Sequence, residues 1–525
     1  MIFRSPYPDV TIPETPLTPF VLRQADSLAT KPALIDGMTG RALSYKQLAD
    51  DIRRAAGGLS RYGLRKGDVL AIYSPNLPEY AVAFHAVTVL GGITTTVSPL
   101  HTAEELAQQL RDSGATYLIT APPLAESALA AAAKAKLREV FTFGEAAGLV
   151  PFVGLLQDNE QPPEVAIDPR KDLVTLLYSS GTSGLPKGVM HTHYGTVAGV
   201  RLLLAADPYQ EEDTLIGVAP FSHILGLWAV LNAGLASGAT IVTMPRFDLE
   251  QFLRLVQQYR VTRAGIAPPI VQALAKQSLV DRYDLSSLKA LLSGGAPLGE
   301  ETLRACAKRL GCAVRKGYGL TEVAPVSHLT PTYGSHLSSV GPCMPNTECR
   351  VVDPATGREQ GPNELGEIWV RGPQMMKGYL NQPAATAQAM DGQGWLHTGD
   401  IGYVDPEGYL YIVDRLKEMI KYKGYQVAPA ELEAVLLSHP RIVDAAVIPS
   451  PDEEAGEVPK AFVVLKGEET PEEILGWVNA RVAAYKRIRR LEVVKEIPKS
   501  PSGKILRRIL IQREREQGRS RSSVS

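Results

Sequence analysis

Between residues 171 and 318, short apolar runs near 173–178, 214–219, 239–244, 262–267, 288–292 and 313–317 alternate with helical stretches such as 249–259 and 300–310. Strands separated by helices must cross over and return beside one another, so the alternation predicts an α/β fold of mostly parallel sheets covered by helices on both faces. Sheets of this kind bind ligands in the loops at the carboxyl ends of their strands. A further helix is predicted over Ser44–Gly63, where Ser44 and Gln47 have capping-box spacing and Leu48, Ile52, Ala55, Leu59 and Tyr62 recur every three to four residues. The Ala-rich stretch 125–136 reads as one surface helix, and no repeat of solenoid period is present.

After about residue 335 the pattern changes to short strands with turn signals. Asp405-Pro406-Glu407-Gly408, between the alternating runs 402–404 and 409–413, predicts a hairpin within a small strand-rich subdomain. From Arg415 a short polar link leads to a last segment with its own strand and helix signals. The division expected is residues 1–414, a large N-terminal domain, and 415–525, a small α+β domain that the resemblance described below implies is mobile.

A chain of 525 residues has room for more than one folding unit. With 45% hydrophobic and 21% charged residues, and Gly 46 and Pro 39, it is neither collagen-like nor disordered. The formal net charge of -1 gives the whole molecule no footprint for non-specific nucleic-acid binding. Residues 481–525 nevertheless carry 14 Lys/Arg against 4 Asp/Glu, and 511–525 reads as a solvated, partly disordered tail. Cys306, Cys312, Cys343 and Cys349 contain no C-x-x-C pair, which fits a reducing compartment. The proline-rich N-terminus lacks an apolar leader core, and the apolar window 80–100 is broken by His85, Gly91, Gly92 and three threonines. The expectation is a cytoplasmic protein, monomer or homodimer, with no nucleic acid and no integral membrane segment.

The most unusual segment is Tyr178-Ser179-Ser180-Gly181-Thr182-Ser183-Gly184-Leu185-Pro186-Lys187-Gly188, directly after a strand. Its glycines let the backbone approach a ligand with N–H groups aimed at it, its hydroxyls add donors, and Lys187 adds charge; together they form a polyphosphate cradle. It is not a Walker loop, because Gly188 stands where Ser or Thr would hold magnesium.

This segment resembles the phosphate loop of the adenylate-forming enzymes: acyl-CoA synthetases, 4-coumarate:CoA ligases, beetle luciferases and peptide-synthetase adenylation domains. The resemblance spans the chain, with Gly294-Gly295-Ala296-Pro297-Leu298, Gly317-Tyr318-Gly319-Leu320-Thr321-Glu322, Gly394-Trp395-Leu396-His397-Thr398-Gly399-Asp400, Asp414-Arg415-Leu416-Lys417 and Pro501-Ser502-Gly503-Lys504 in the family's order. Glu367-Ile368-Trp369-Val370-Arg371-Gly372 and Lys421-Tyr422-Lys423-Gly424-Tyr425-Gln426-Val427 look most like the coumarate-ligase and luciferase branch.

The resemblance implies a ligase using ATP, Mg²⁺ and coenzyme A on a carboxylic acid. It assigns nucleotide or CoA contacts to Ser179, Ser180, Gly181, Thr182, Ser183, Gly184, Lys187, Gly295, Ala296, Pro297, Tyr318, Gly319, Thr321, Glu322, Asp400, Arg415, Lys421, Lys423, Gly424, Gln426 and Lys504. Within that set Tyr318 would lie flat on the nucleobase, Thr321 would donate to phosphate, and Glu322 would offer a hard oxygen to Mg²⁺. Asp400, read as a carboxylate at a tight turn, would accept the ribose hydroxyls, with Arg415 reinforcing it. Catalytic roles fall on Lys504, His223, Thr182, Lys187 and Lys421, and the hinge of the mobile domain on Lys417. Lys504 would bridge the substrate carboxylate and the α-phosphate.

By the same resemblance His223, Leu225, Trp228 and Gly319 form the acyl pocket. Coumarate ligases generally have tyrosine two residues after the gate histidine; here it is Leu225. An apolar aromatic or medium-chain fatty acid is therefore expected rather than a phenolic one. The rival readings are a luciferase-like oxidising enzyme, a carrier-loading adenylation domain and a nucleotide-binding homologue without ligase activity.

Overall fold

The structure is a computed structural model that describes the chain apart from residues 158–160, 180–185, 333, 335, 424, 453, 468, 501–502 and 523–525, and apart from the side chains of 426, 515 and 517–522. It divides into two compact units. The larger comprises residues 2–349 and 370–396; the smaller comprises Met1, 350–369 and 397–525.

The larger unit contains two eight-stranded sheets. The first runs in the order Gly378–Tyr379, Lys187–Thr192, Leu173–Ser179, Ile93–Val97, Val69–Tyr73, Ala115–Thr120, Glu139–Thr142, Val150–Pro151. Its middle is parallel, and only the pairs made by Lys187–Thr192 are antiparallel. The second runs His328–Leu329, Ala313–Tyr318, Ala290–Ser293, Arg263–Ile266, Thr214–Gly217, Thr240–Thr243, Pro32–Asp36, Ala42–Ser44, and is parallel except at its two end pairs. The strands read from apolar periodicity thus occupy the expected places, within two residues at their ends.

Helices form where capping and periodicity agree. Over Tyr45–Arg61 the Ser44 hydroxyl accepts from the Gln47 N–H, while the Gln47 side chain accepts from the Ser44 N–H at 2.8 Å. Leu48, Ile52, Ala55 and Leu59 form its buried stripe. Pro78–Val89 is buried on nearly all sides, as a helix apolar all round must be, and the strand Ile93–Val97 follows it. Among the described residues no helix is long and apolar enough to cross a membrane. None of the four cysteines is in a disulfide.

An ion cluster clamps the amino-terminal edge of the second sheet. Asp213, just before Thr214–Gly217, pairs with Arg263 Nε at 2.8 Å and Lys289 Nζ at 2.9 Å. Asp207 takes Arg263 Nη1 at 2.9 Å and Arg315 Nη1 at 2.6 Å. Burial alone would raise the Asp213 carboxyl, but the Gln210 N–H, Lys289, Thr262 and Arg263 outweigh it and hold the group down at about 2. Four parallel strands are thereby tied together at or near the end away from their carboxyl-edge loops.

In the smaller unit Ile442–Asp452 and Gly456–Leu465 form a long antiparallel hairpin, flanked by Ile420–Tyr422, Tyr425–Val427 and the parallel Arg490–Val493. Leu432, Leu436, Val447, Val463, Ile474 and Val478 form its core with the helices Pro429–Leu437 and Pro471–Asn479. The hairpin expected around 405–408 joins Leu396–Val404 to Leu410–Arg415, with Asp405 Oδ1 accepting the Glu407 and Tyr409 N–H groups. Of the tail expected over 511–525 to be solvated and partly disordered, residues up to Ser522 belong to the helix Arg507–Ser522, while 523–525 lie outside the described residues. Leu510 packs on Ala446, Ile448 and Phe462, and Glu514 pairs with Lys460 at 2.5 Å, which ties the helix down.

Asp213→Asn is expected to cost about 2 kcal/mol at neutral pH, from the depression of its carboxyl. A depressed carboxyl contributes fully above its unfolded value, and the contribution is lost as pH falls through the folded value. Urea unfolding of wild type and variant should therefore differ at pH 7, still differ at pH 3.5, and converge only as pH falls to about 2. A constant gap would refute the ionic origin.

Candidate active site

The phosphate-loop segment leaves the first sheet at a point set by strand pairing. Leu173–Ser179 runs parallel to its inner neighbour, and Lys187–Thr192 returns antiparallel, with Lys187 opposite Ser179 and Gly188 opposite Tyr178. Lys187 therefore stands at the carboxyl edge of the parallel strands. Ser180, Gly181, Thr182, Ser183 and Gly184 lie outside the described residues.

Lys187 Nζ sits 4.8 Å from the centroid of the Tyr379 ring. The Tyr379 hydroxyl donates to Glu322 Oε1 at 2.8 Å, and both residues are buried. Two distant motif residues, Lys187 and Glu322, thus meet through a tyrosine that sequence reasoning missed. The only signal was an aromatic residue in the turn-like Lys377-Gly378-Tyr379-Leu380, far from either motif in the chain.

Glu322 follows the second sheet's strand Ala313–Tyr318. The turn between them needs Gly319, because a Cβ there would lie 2.3 Å from the Pro325 carbonyl oxygen. Tyr318 is half-buried, its ring 6.0 Å from that of His328. Gly295, Ala296 and Pro297 follow the neighbouring parallel strand Ala290–Ser293. Tyr318, Thr321, Glu322 and the 295–297 turn therefore share the carboxyl edge of one sheet, where ligands of doubly wound folds bind.

Among the described residues no group of three or more His, Cys, Asp or Glu side chains is arranged to hold a metal ion. Glu322 still suits magnesium: an ionised carboxylate has about four lone-pair sites, and Tyr379 takes one. Magnesium is commonly bound by one or two carboxylates plus substrate phosphates rather than by a protein cage.

His223 is half-buried, and its Nδ1 accepts from the Leu225 N–H at 3.3 Å. Burial pulls its imidazole down to about 4, so the ring is neutral at physiological pH. Leu225 and Trp228 lie in the π-helix Leu225–Asn232. Leu225 Cδ1 reaches to 3.7 Å of the space above Gly265, whereas Trp228 is wholly enclosed and meets Phe84 edge-on at 6.0 Å.

In the smaller unit Asp400 does not occupy a tight turn. It lies within Leu396–Val404, buried, as the register partner of Arg415, whose Nε is 3.2 Å from its Oδ1. The Gly399 N–H donates to Glu367 Oε1, and the strand is bulged between Ile401 and Gly402, so the glycine marks an irregular strand. The Ser500 N–H donates to the Lys504 carbonyl at 2.8 Å. The Lys504 amine is half-buried and lowered from the ordinary lysine value, first by burial and then by Arg415, with Glu418 and Asp400 acting in the opposite sense. Lys504, Arg415 and Asp400 are thus electrostatic neighbours. Lys417 is exposed in the turn after Leu410–Arg415. Lys421 is exposed, its backbone N–H donating to Glu457, and Lys423 pairs with Glu454. Gly424 and the side chain of Gln426 lie outside the described residues.

Residues 21–380 match the AMP-binding enzyme family and residues 431–504 match the AMP-binding enzyme C-terminal domain. The chain is 44% identical over 523 residues to 4-coumarate--CoA ligase 5 of Oryza sativa subsp. japonica, covering 97% of this chain and 96% of the relative. It is 44% identical over 524 residues to 4-coumarate--CoA ligase 2 of Petroselinum crispum, with the same coverage. Among solved structures it is similar to the anthranilate CoA ligase AuaEII in complex with anthranoyl-AMP, with TM-score 0.88 and 27% identity over 96% of this chain and 98% of that one. ATP-bound MatB from Rhodopseudomonas palustris gives TM-score 0.85 and 27% identity, over 93% and 97%. With both family matches in place and these relatives spanning nearly its whole length, the chain belongs to the AMP-binding enzyme family and is an AMP-forming acid:CoA ligase.

Proposed function

We propose that this ligase activates an apolar aromatic or medium-chain fatty acid, through an acyl-adenylate, in the cytoplasm. The carboxylate attacks the α-phosphate of ATP and releases pyrophosphate; the CoA thiolate then attacks the acyl carbon and releases AMP. The observation that supports the residue roles best is the grouping of Lys504 with Asp400 and Arg415, because it sets a cation beside the carboxylate that would hold the ribose.

Carboxylate and triphosphate repel each other, so the first step needs a cation between them and no general base, the acid being already ionised at neutral pH. Lys504 supplies that charge. Lys187 meets the polyphosphate, and Thr321 and the 179–184 hydroxyls and N–H groups donate to it. Glu322 would hold magnesium, which when bound supplies positive charge to the phosphates. Tyr318 stacks on the base and the 295–297 backbone borders it. The 421–427 segment, with Lys421 and Lys423, serves the CoA step after residues 415–525 rotate about Lys417.

The relatives are named for 4-coumarate, yet Leu225 offers nothing to a phenol hydroxyl, which would be left unpaired among apolar groups. CoA-dependent AMP release from a panel of acids should give unsubstituted aromatic or medium-chain acids a kcat/KM about tenfold or more above 4-coumarate. Leu225→Tyr should shift the ratio toward the phenol. A wild-type preference for 4-coumarate would overturn this substrate class.

Lys504→Ala should slow adenylate formation on the order of 100- to 1,000-fold while sparing thioester formation from a supplied acyl-adenylate. Because only the protonated amine serves and its value is lowered, wild-type pyrophosphate exchange should fall as pH rises through that lowered value. The thioester half-reaction should not share this fall. Equal loss of both half-reactions in the variant would refute the role.

Lys417→Ala is expected to be silent, since its side chain touches no substrate in the first step. Lys417→Pro, which fixes φ near −65° and removes an N–H, should trap one arrangement and split the half-reactions by orders of magnitude. A folded proline variant with both half-reactions at wild-type rates would remove the hinge.

A further inference from the structure

The geometry points to Tyr379 as a positioning residue of the phosphate and metal site, holding Glu322 by its hydroxyl and Lys187 by its ring. The inference rests on the proposed roles of Glu322 and Lys187.

Tyr379 is built in from several directions. Gly378–Tyr379 pairs antiparallel with Lys187–Thr192, with Tyr379 opposite Val189. Backbone bonds bracket it: the Lys377 N–H donates to Met190 O and the Leu380 N–H to Gly188 O, each at 2.8 Å. The Tyr379 N–H donates to Thr386 Oγ1 at 2.9 Å. Gly378 has φ +145°, and a Cβ there would lie 2.8 Å from Thr386 Cγ2, so only glycine permits this close return. The Met376 N–H donates to the Glu322 carbonyl at 2.9 Å, so the same segment also grips the backbone of the acidic residue.

A tyrosine fixed in this way acts at both ends. Its hydroxyl gives Glu322 Oε1 a charge-assisted hydrogen bond, which sets the carboxylate plane and leaves lone pairs for a cation. Burial and the Glu322 charge raise the phenol above its ordinary value, so it remains a donor. Its ring attracts the Lys187 ammonium at 4.8 Å without neutralising it, whereas a carboxylate in that place would quench the charge the phosphates need. Partners that orient a metal-binding carboxylate are typically worth about 10- to 100-fold in metal affinity.

The test is calorimetric ATP binding to the full chain, with magnesium and with EDTA, for wild type, Tyr379→Phe, Tyr379→Leu and Glu322→Gln. Tyr379→Phe keeps the ring and loses the hydroxyl; it should cut the magnesium-dependent gain in affinity about tenfold while leaving ATP affinity in EDTA unchanged. Tyr379→Leu loses the ring as well and should also weaken binding in EDTA. The half-saturating magnesium concentration for pyrophosphate exchange should rise in Tyr379→Phe while the KM for the acid stays constant. If Glu322→Gln abolishes the magnesium gain but Tyr379→Phe retains it, the positioning role is overturned and the metal role of Glu322 stands. If Glu322→Gln leaves the gain intact, the metal reading falls and takes this inference with it. A merely structural tyrosine would lower the melting temperature and leave the magnesium gain as in wild type, which also overturns the proposal.

Discussion

The reversal of chain direction between Leu173–Ser179 and Lys187–Thr192 is the constraint on which the proposed phosphate site depends. A parallel strand delivers only its last residue to the ligand edge before the chain leaves for a crossover. An antiparallel return keeps the chain at that edge, so Lys187 begins its strand where Ser179 ends one. The returning strand also offers a free side, which Gly378–Tyr379 fills. One hairpin thus converts the border of a parallel sheet into a place where residues from three parts of the chain converge.

The second sheet divides its labour between its two ends. Asp207 and Asp213 tie Arg263, Lys289 and Arg315 together at or near the amino-terminal edge, where no ligand is expected. At the carboxyl edge the chain turns at Gly294-Gly295 and at Gly319, where there is no side chain to anchor the strands. Buried ion pairs are expensive to break singly, so the clamp holds register where the turns cannot. The close-packed glycine turns can then be shaped for a ligand without carrying the stability of the sheet.

The layers were legible because apolar periodicity reports burial directly, and the capping box over Ser44 and Gln47 names its own helix start. Motif residues were legible as chemistry, but not as neighbours. Nothing in the spacing of Lys187, Glu322 and Tyr379 announces that they meet, since the contact arises from sheet order. Asp400 was misread as a turn residue because Gly399 and a bulge carry the same local signal as a turn, while only the pairing with Leu410–Arg415 distinguishes them. The helix Arg507–Ser522 was hidden by its charge: its apolar anchor is mainly Leu510, and the Glu514–Lys460 pair that holds it is non-local.

Charge in the smaller unit is arranged around a conflict. Arg415 stabilises Asp400 and by the same field disfavours a proton on Lys504; burial adds to that, and Asp400 and Glu418 offset only part of it. A lysine strained in this way is a better cation for an incoming anion than a relaxed one. Among the described residues its side-chain amine has no hydrogen bond or ion pair to surrender, so in the proposed mechanism its charge would be satisfied by whatever negative group arrives, and a carboxylate meeting an α-phosphate is such a group. In the proposed mechanism that compensation is lost when the adenylate forms and pyrophosphate departs with its charge, so the attraction that draws the reactants together weakens once they have reacted. An amine held by its surroundings rather than by a strong partner can be withdrawn at that stage at low cost, which is what a second half-reaction on the same adenylate requires.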